Sequence, residues 1–199
     1  MYALVTNNEI TKLITNPKSM VIGDVRYPAK IFQLWSTSEL NDIGIYEVVF
    51  DNSNKKDEQW YINTNQSYDF DGNEVTASYG TATPKAHADR NGTDEDGVEL
   101  DPVVVIEGLK TKLIKDLKLQ VSNELAKTDW YITRNTEKST AIPSAISTHR
   151  DAVRTKQAEM ETAITNASDT SALETLYTYT TDSDGVQSRP LGELPTLES

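Results

Sequence analysis

The chain has 199 residues with 19 Lys and Arg against 31 Asp and Glu, a formal charge of −12; 37% of residues are apolar, none is Cys and two are His. The missing Cys excludes disulfides, thiolate metal sites, iron–sulfur clusters and Cys nucleophiles, and His87 and His149 are too few for a His-rich metal centre. The acidic field disfavours nucleic acid and anionic membranes, no apolar run approaches the ~20 residues of a membrane span, and Met1–Val5 lacks the features of a signal peptide.

Residues 1–84 hold six of the nine Tyr, all three Phe and two of the three Trp, a composition that reads as strands. Met1–Val5 and Glu9–Ile14 flank Asn7-Asn8, a pair that tolerates the positive φ of a hairpin turn. Ser36 with Glu39 predicts a capping box opening a short helix closed by Gly44, with Trp35 and Leu40 docking it on the sheet. Ile45–Phe50 and Gln59–Ile62 are further strands. Tyr68 and Phe70 alternate with polar residues before Asp71-Gly72, and Val75, Ala77 and Tyr79 alternate after it, which predicts a β-hairpin.

Residues 85–106 are an acidic linker ending in a short strand, with a net charge of −4 over residues 85–101. The run Asp94-Glu-Asp-Gly invites a calcium reading but fails the EF-hand spacing, because Gly97 at loop position 6 puts Gly92 at position 1. A solvated acidic loop is the expectation, and no cofactor or metal is assigned.

Residues 107–166 carry helical periodicity. Leu109, Leu113, Leu117, Val121 and Leu125 form one stripe, and Ile146, Val153, Met160 and Ile164 another beyond Pro143. The two stripes predict an antiparallel helical hairpin. Residues 167–199 read as a short segment, Ala172–Tyr177, and an acidic Pro-containing tail. The fold class is therefore α+β: an N-terminal antiparallel β module followed by a C-terminal α-helical hairpin. The apolar fraction, below the ~45–50% usual for globular domains counted with Gly, suggests an elongated shape or a partner-covered surface.

Between the helices stand Thr128, Asp129, Trp130, Arg134, Glu137 and Pro143, followed by Arg150 and Arg154. One reading is structural: Thr128 and Asp129 bond free backbone groups, buried Trp130 fills the corner, Arg134 pairs with Asp129 or Glu137, and Arg150 and Arg154 share a face. The other is that part of this set grips a partner protein.

The stretch Glu124-Leu-Ala-Lys-Thr-Asp-Trp-Tyr-Ile-Thr-Arg-Asn-Thr-Glu, then Ile142-Pro143 and His149-Arg150-Asp-Ala-Val-Arg154, resembles the C-terminal motif of bacteriophage tail assembly chaperones. The resemblance covers Glu124 to Ile164; His149 stands where that family commonly has Tyr. The stretches Val25-Arg-Tyr-Pro-Ala and Ser38-Glu-Leu-Asn-Asp-Ile-Gly-Ile-Tyr-Glu-Val-Val also resemble small proteins encoded near phage tail-fibre genes. Together these imply a non-enzymatic protein that binds a phage tail or tail-fibre protein, in the host cytoplasm during assembly or in the virion tail. The alternative is a permanent component of the tail, baseplate or fibre. Homo-oligomerisation is left open. An enzyme is not expected: there is no nucleophile elbow, phosphate-binding Gly loop or His-Glu-x-x-His motif.

Overall fold

The computed structural model describes residues 1–197, and the chain divides into two compact units, Met1–Thr83 and Pro84–Ser199. The protein is mixed α and β, with a sheet in the first unit and the long helices in the second.

The first unit contains β1 (Tyr2–Thr6), β2 (Glu9–Ile14), β3 (Met20–Ile22), β4 (Val25–Tyr27), α1 (Ile31–Leu34), α2 (Thr37–Asp42), β5 (Ile45–Asp51), β6 (Tyr61–Ile62), β7 (Gln66–Phe70) and β8 (Val75–Tyr79). The strand β9 (Thr83–Pro84) falls at the boundary of the two units. Five strands form one sheet in the order β2-β1-β5-β8-β7. Asn7 and Asn8 take φ values of 53° and 64°, closing the β1–β2 hairpin. Asp71 closes the β7–β8 hairpin, its Oδ1 accepting from the Asn73 and Glu74 amides at 2.8 Å. The Ser36–Glu39 capping box forms at α2. Gly44 has φ +81°, and a Cβ there would lie 2.6 Å from the Val5 carbonyl oxygen, so only glycine fits this turn.

The expected antiparallel module is corrected at one pairing: β5 and β8 run parallel, with Val48 opposite Val75 and Phe50 opposite Ala77. Residues 52–74, which include β7, make the crossover that a parallel pair requires. The alternation of β7 and β8 makes either strand fit against β5. Burial decides: Val75 and Ala77 are buried, whereas β7 has no fully buried residue and takes the edge. The β1 strand is packed on both faces, fully buried on one and partly on the other. Ala3 and Val5 pack with Val48, Val75 and Ala77, while Tyr2 and Leu4 meet the cluster of Ile31, Leu40 and Ile45.

The second unit contains β10 (Arg90–Asn91), β11 (Val105–Ile106), α3 (Leu109–Ala126), α4 (Asp129–Lys138), α5 (Ser144–Asn166), α6 (Thr170–Tyr177), β12 (Thr180–Thr181) and β13 (Gln187–Ser188). Both predicted stripes supply its core: Leu113, Leu117 and Val121 of α3 are buried with Ile146, Val153, Met160 and Ile164 of α5. Lys110, early in α3, donates to the Thr165 carbonyl late in α5, and Arg150, early in α5, reaches Leu125 late in α3. The helix α4 lies between them in sequence. Pro143 is the N-cap of α5, and its carbonyl accepts from the Ile146 and Ser147 amides.

Residues 85–106 are bonded into this unit. Ala86 and His87 carbonyls accept from the Leu109 and Lys110 amides, two donors that the first turn of α3 cannot satisfy internally. Asp89 Oδ1 accepts from the Gly108 amide at 2.8 Å and the Thr111 hydroxyl at 2.7 Å. The next stretch is a ribbon in which β10 pairs with β11. Its turn, Thr93-Asp-Glu-Asp-Gly-Val-Glu99, recurs as Thr181-Asp-Ser-Asp-Gly-Val-Gln187. In both, the first Asp accepts from the amides two and four residues on and Gly sits at φ +81°.

The acidic caps predict that this unit loses stability in acid. The Thr111 hydroxyl, with the Gly108 amide, holds the Asp89 carboxyl below its usual range, and the Ala172 amide, with Ser168, does the same at Asp169. A carboxyl depressed in the folded state contributes stability above its unfolded pKa and loses it as pH falls through the folded pKa. Unfolding titrations are therefore expected to show stability falling on acidification through and below the normal carboxylate range. Asp89→Asn and Asp169→Asn should each flatten that fall. An acid limb with the same slope in both variants would refute it.

Candidate functional site

The junction after α3 is built from a helix end that runs out of internal partners. Thr128 donates from Oγ1 to the Leu125 carbonyl at 3.0 Å, and its amide donates to the same oxygen at 3.1 Å, turning the chain into α4. Arg150 enters from α5. Its Nη1 lies 2.7 Å from the Leu125 carbonyl, 2.7 Å from Thr128 Oγ1 and 2.8 Å from Asp129 Oδ1. A guanidinium suits this position because helix C-terminal carbonyls carry partial negative charge. Thr128 and Arg150 are buried, whereas the Asp129 side chain is largely open to solvent.

One turn earlier, Glu124 forms an ion pair with Lys127. His149 is also buried, with Nε2 3.3 Å from Glu124 Oε1 but without a hydrogen-bond partner. The Lys127 ammonium beside it, assisted by the imidazole of His149, holds the Glu124 carboxyl below its ordinary range. Glu124, His149 and Arg150 thus join α3 to α5 through polar groups at one end of the apolar seam.

The helix α4 overturns the expectation for Trp130. Once Asp129 begins a helix facing Arg150, the next residue lies about 100° further round. Trp130 consequently leaves the junction and is 51% exposed. Its ring lies 3.9 Å from that of Tyr131, and the Arg134 guanidinium sits 4.6 Å over Trp130 and 5.3 Å over Tyr131. Arg134 therefore stacks on aromatic rings instead of pairing with Asp129 or Glu137, and its Nε, shielded from solvent, has no hydrogen-bond partner. Ile132 is exposed as well, and α4 has no buried residue.

Thr128, Asp129 and Arg150 are thus brought together, and Trp130 with Arg134 forms a separate surface group. Glu137 and Pro143 are exposed. Arg150 and Arg154 do not act as a pair: Arg150 is buried, while Arg154 stays in solvent 3.5 Å from Asp151. The His149–Glu124 contact and the capping role of Asp89 were not foreseen. The Asp89 cap has no local signal, because 19 residues separate the carboxylate from the Gly108 amide that it accepts from.

Among the described residues, no group of three or more His, Asp and Glu side chains is placed to hold a metal ion, and no helix is long and apolar enough to cross a membrane. Comparison of the chain with protein-family models, curated proteins and solved structures finds no match.

Proposed function

We propose that this is a non-enzymatic bacteriophage protein that binds a tail or tail-fibre protein, with α3 and α5 as a helical-hairpin scaffold and α4 as the docking helix. The reading rests on the motif resemblance through Glu124–Ile164 and is carried by one observation. The ten-residue helix α4 buries none of its residues and exposes Trp130 and Ile132 beside a stacked Tyr131–Arg134 group. Trp, Tyr and Arg are the residues that dominate binding energy when a partner excludes water from them. In this arrangement Arg150 positions the helix and Trp130 meets the partner.

The test is capture of a tail or tail-fibre protein by the full chain. Trp130→Ala is expected to weaken capture by about 30-fold or more, the loss of one strong anchor. The same substitution should change unfolding free energy by less than about 1 kcal/mol, because the indole is half in solvent. Capture by Trp130→Ala equal to the parent would remove α4 as the docking element. Mass spectrometry of purified particles then separates a transient chaperone, absent from virions, from a permanent tail component, present in stoichiometric amounts.

A further inference from the structure

The second unit exposes another apolar surface away from α4. Along the ribbon of residues 90–106, Val98, Val103, Val104, Val105 and Ile106 are each between 42% and 61% exposed. Single exposed apolar residues are ordinary, but five β-branched side chains within nine residues form an exposed apolar strip of chain, whose consecutive members Val105 and Ile106 in β11 turn to opposite faces. Gly92 ties the strip together, its amide donating to the Val104 carbonyl at 2.7 Å and its carbonyl accepting from the Leu100 amide at 3.0 Å. A side chain at Gly92 would press on Leu100 and the Val104 carbonyl, both 3.2 Å from its Cβ, so the close approach depends on glycine.

The strip is also an unprotected edge. The two-stranded sheet contains only β10 and β11, so among the described residues no strand lies on the outer side of β11. Exposed edges are usually blunted by Lys, Pro or an inward charge. Val103–Ile106 has none of these within it. Its surroundings are acidic: Asp94 and Glu99 are engaged by ribbon hydrogen bonds, while Glu95, Asp96 and Asp101 make no ion pair among the described residues. Arg90 is the single cation of residues 90–106. Two copies of this strip laid face to face would bring like charges together, which disfavours self-pairing.

We propose that the ribbon accepts an added strand from a partner protein, an extended segment that alternates β-branched residues with Lys or Arg. Main-chain bonding to the outer edge of β11 provides the attachment, the valines provide the apolar contact, and the free carboxylates select cations. This surface is separate from α4, and the proposal stands whether or not α4 docks a partner.

The probe is a fluorescent synthetic peptide of alternating valine and lysine, titrated into the full chain and followed by anisotropy. Saturable binding that weakens with added salt is expected. The double variant Val104→Asp, Val105→Asp should lower affinity by about tenfold or more, since it removes apolar area and adds charge at the edge. Both sites are exposed, so its thermal melt should match the parent. Trp130→Ala should bind the peptide normally, which keeps failure of the ribbon distinguishable from failure of α4. Equal binding of a lysine–serine peptide would reduce the effect to bulk charge and overturn the proposal, as would equal binding of a glutamate–valine peptide. Sedimentation showing self-association of the parent that the double variant abolishes would assign the strip to a second copy instead.

Discussion

Arg150→Ala is expected to destabilise the second unit by about 2–4 kcal/mol, measured by denaturant unfolding. Three acceptors that share the two Nη1 hydrogens lose that donor together: the Leu125 carbonyl, Thr128 Oγ1 and Asp129 Oδ1. Hydrogen bonds from charged groups are worth about 1.5–3 kcal/mol net, and an unsatisfied buried partner adds its own penalty. Two features shift the total toward the low side of the ~3–5 kcal/mol of a fully buried broken pair. The Asp129 carboxylate is 60% exposed and resolvates freely. The Leu125 carbonyl also keeps its two bonds from Thr128. Asp129→Asn should consequently cost less than about 1 kcal/mol, as an exposed pair does. Amide hydrogen exchange adds a spatial readout. The α4 amides should exchange faster in Arg150→Ala, because α4 has no buried side chain to hold it once the clamp is gone. Unchanged stability and unchanged α4 exchange would show that the guanidinium is not what fastens this helix.

Leu191→Ala is the second large effect, expected at about 2–5 kcal/mol from a substitution in a segment that reads as a tail. Leu191 is 3% exposed and its amide donates to the Leu176 carbonyl at 3.0 Å. Around it the chain is fastened by Arg189, whose guanidinium lies 5.3 Å over Tyr177 and 5.2 Å over Tyr179. Arg189 also pairs with Glu193 at 2.8 Å and donates to the Gly192 carbonyl at 3.1 Å. The lost methyl groups leave a cavity under this strap, so the strap should detach before the rest of the unit unfolds. Limited chymotrypsin digestion is expected to cut Leu191→Ala after Tyr179 well before the parent. Equal digestion and an unchanged unfolding midpoint would show that residues 187–193 contribute nothing to the unit.

Much of the local structure was legible in the sequence because its determinants lie within a few residues of one another. Asn7-Asn8 and Asp71-Gly72 each mark a turn by their own backbone tolerance, and Ser36 with Glu39 closes a capping box across three residues. The apolar stripes of α3 and α5 follow from helical periodicity alone, and the buried set reproduces their centres. The candidate site was legible as a cluster but not in its roles. Thr128, Asp129 and Arg150 do meet, yet the residue expected to fill the junction, Trp130, stands outside it. Size and apolarity favour burial of an indole, but the start of α4 at Asp129 fixes where the indole points. Nothing local to Trp130 reveals that Arg150, twenty residues on, already occupies the space.

Composition and spacing by themselves determined the class of the protein: acidic, free of thiol chemistry, a β-rich first part and a helical second part built on two apolar stripes. Only the tertiary structure decided the parallel pairing of β5 with β8, the bonding of residues 85–106 and 187–193 into the second unit, and the exchange of Trp130 for Arg150 at the junction. The physical reason is common to all three. Turn and helix preferences are short-range properties of the backbone. The β5–β8 pairing is settled by which strand buries its apolar face, and caps borrowed from 19 residues away and clamps across more than 20 by which orphaned carbonyl, amide or carboxylate is left within reach after the helices and strands have packed.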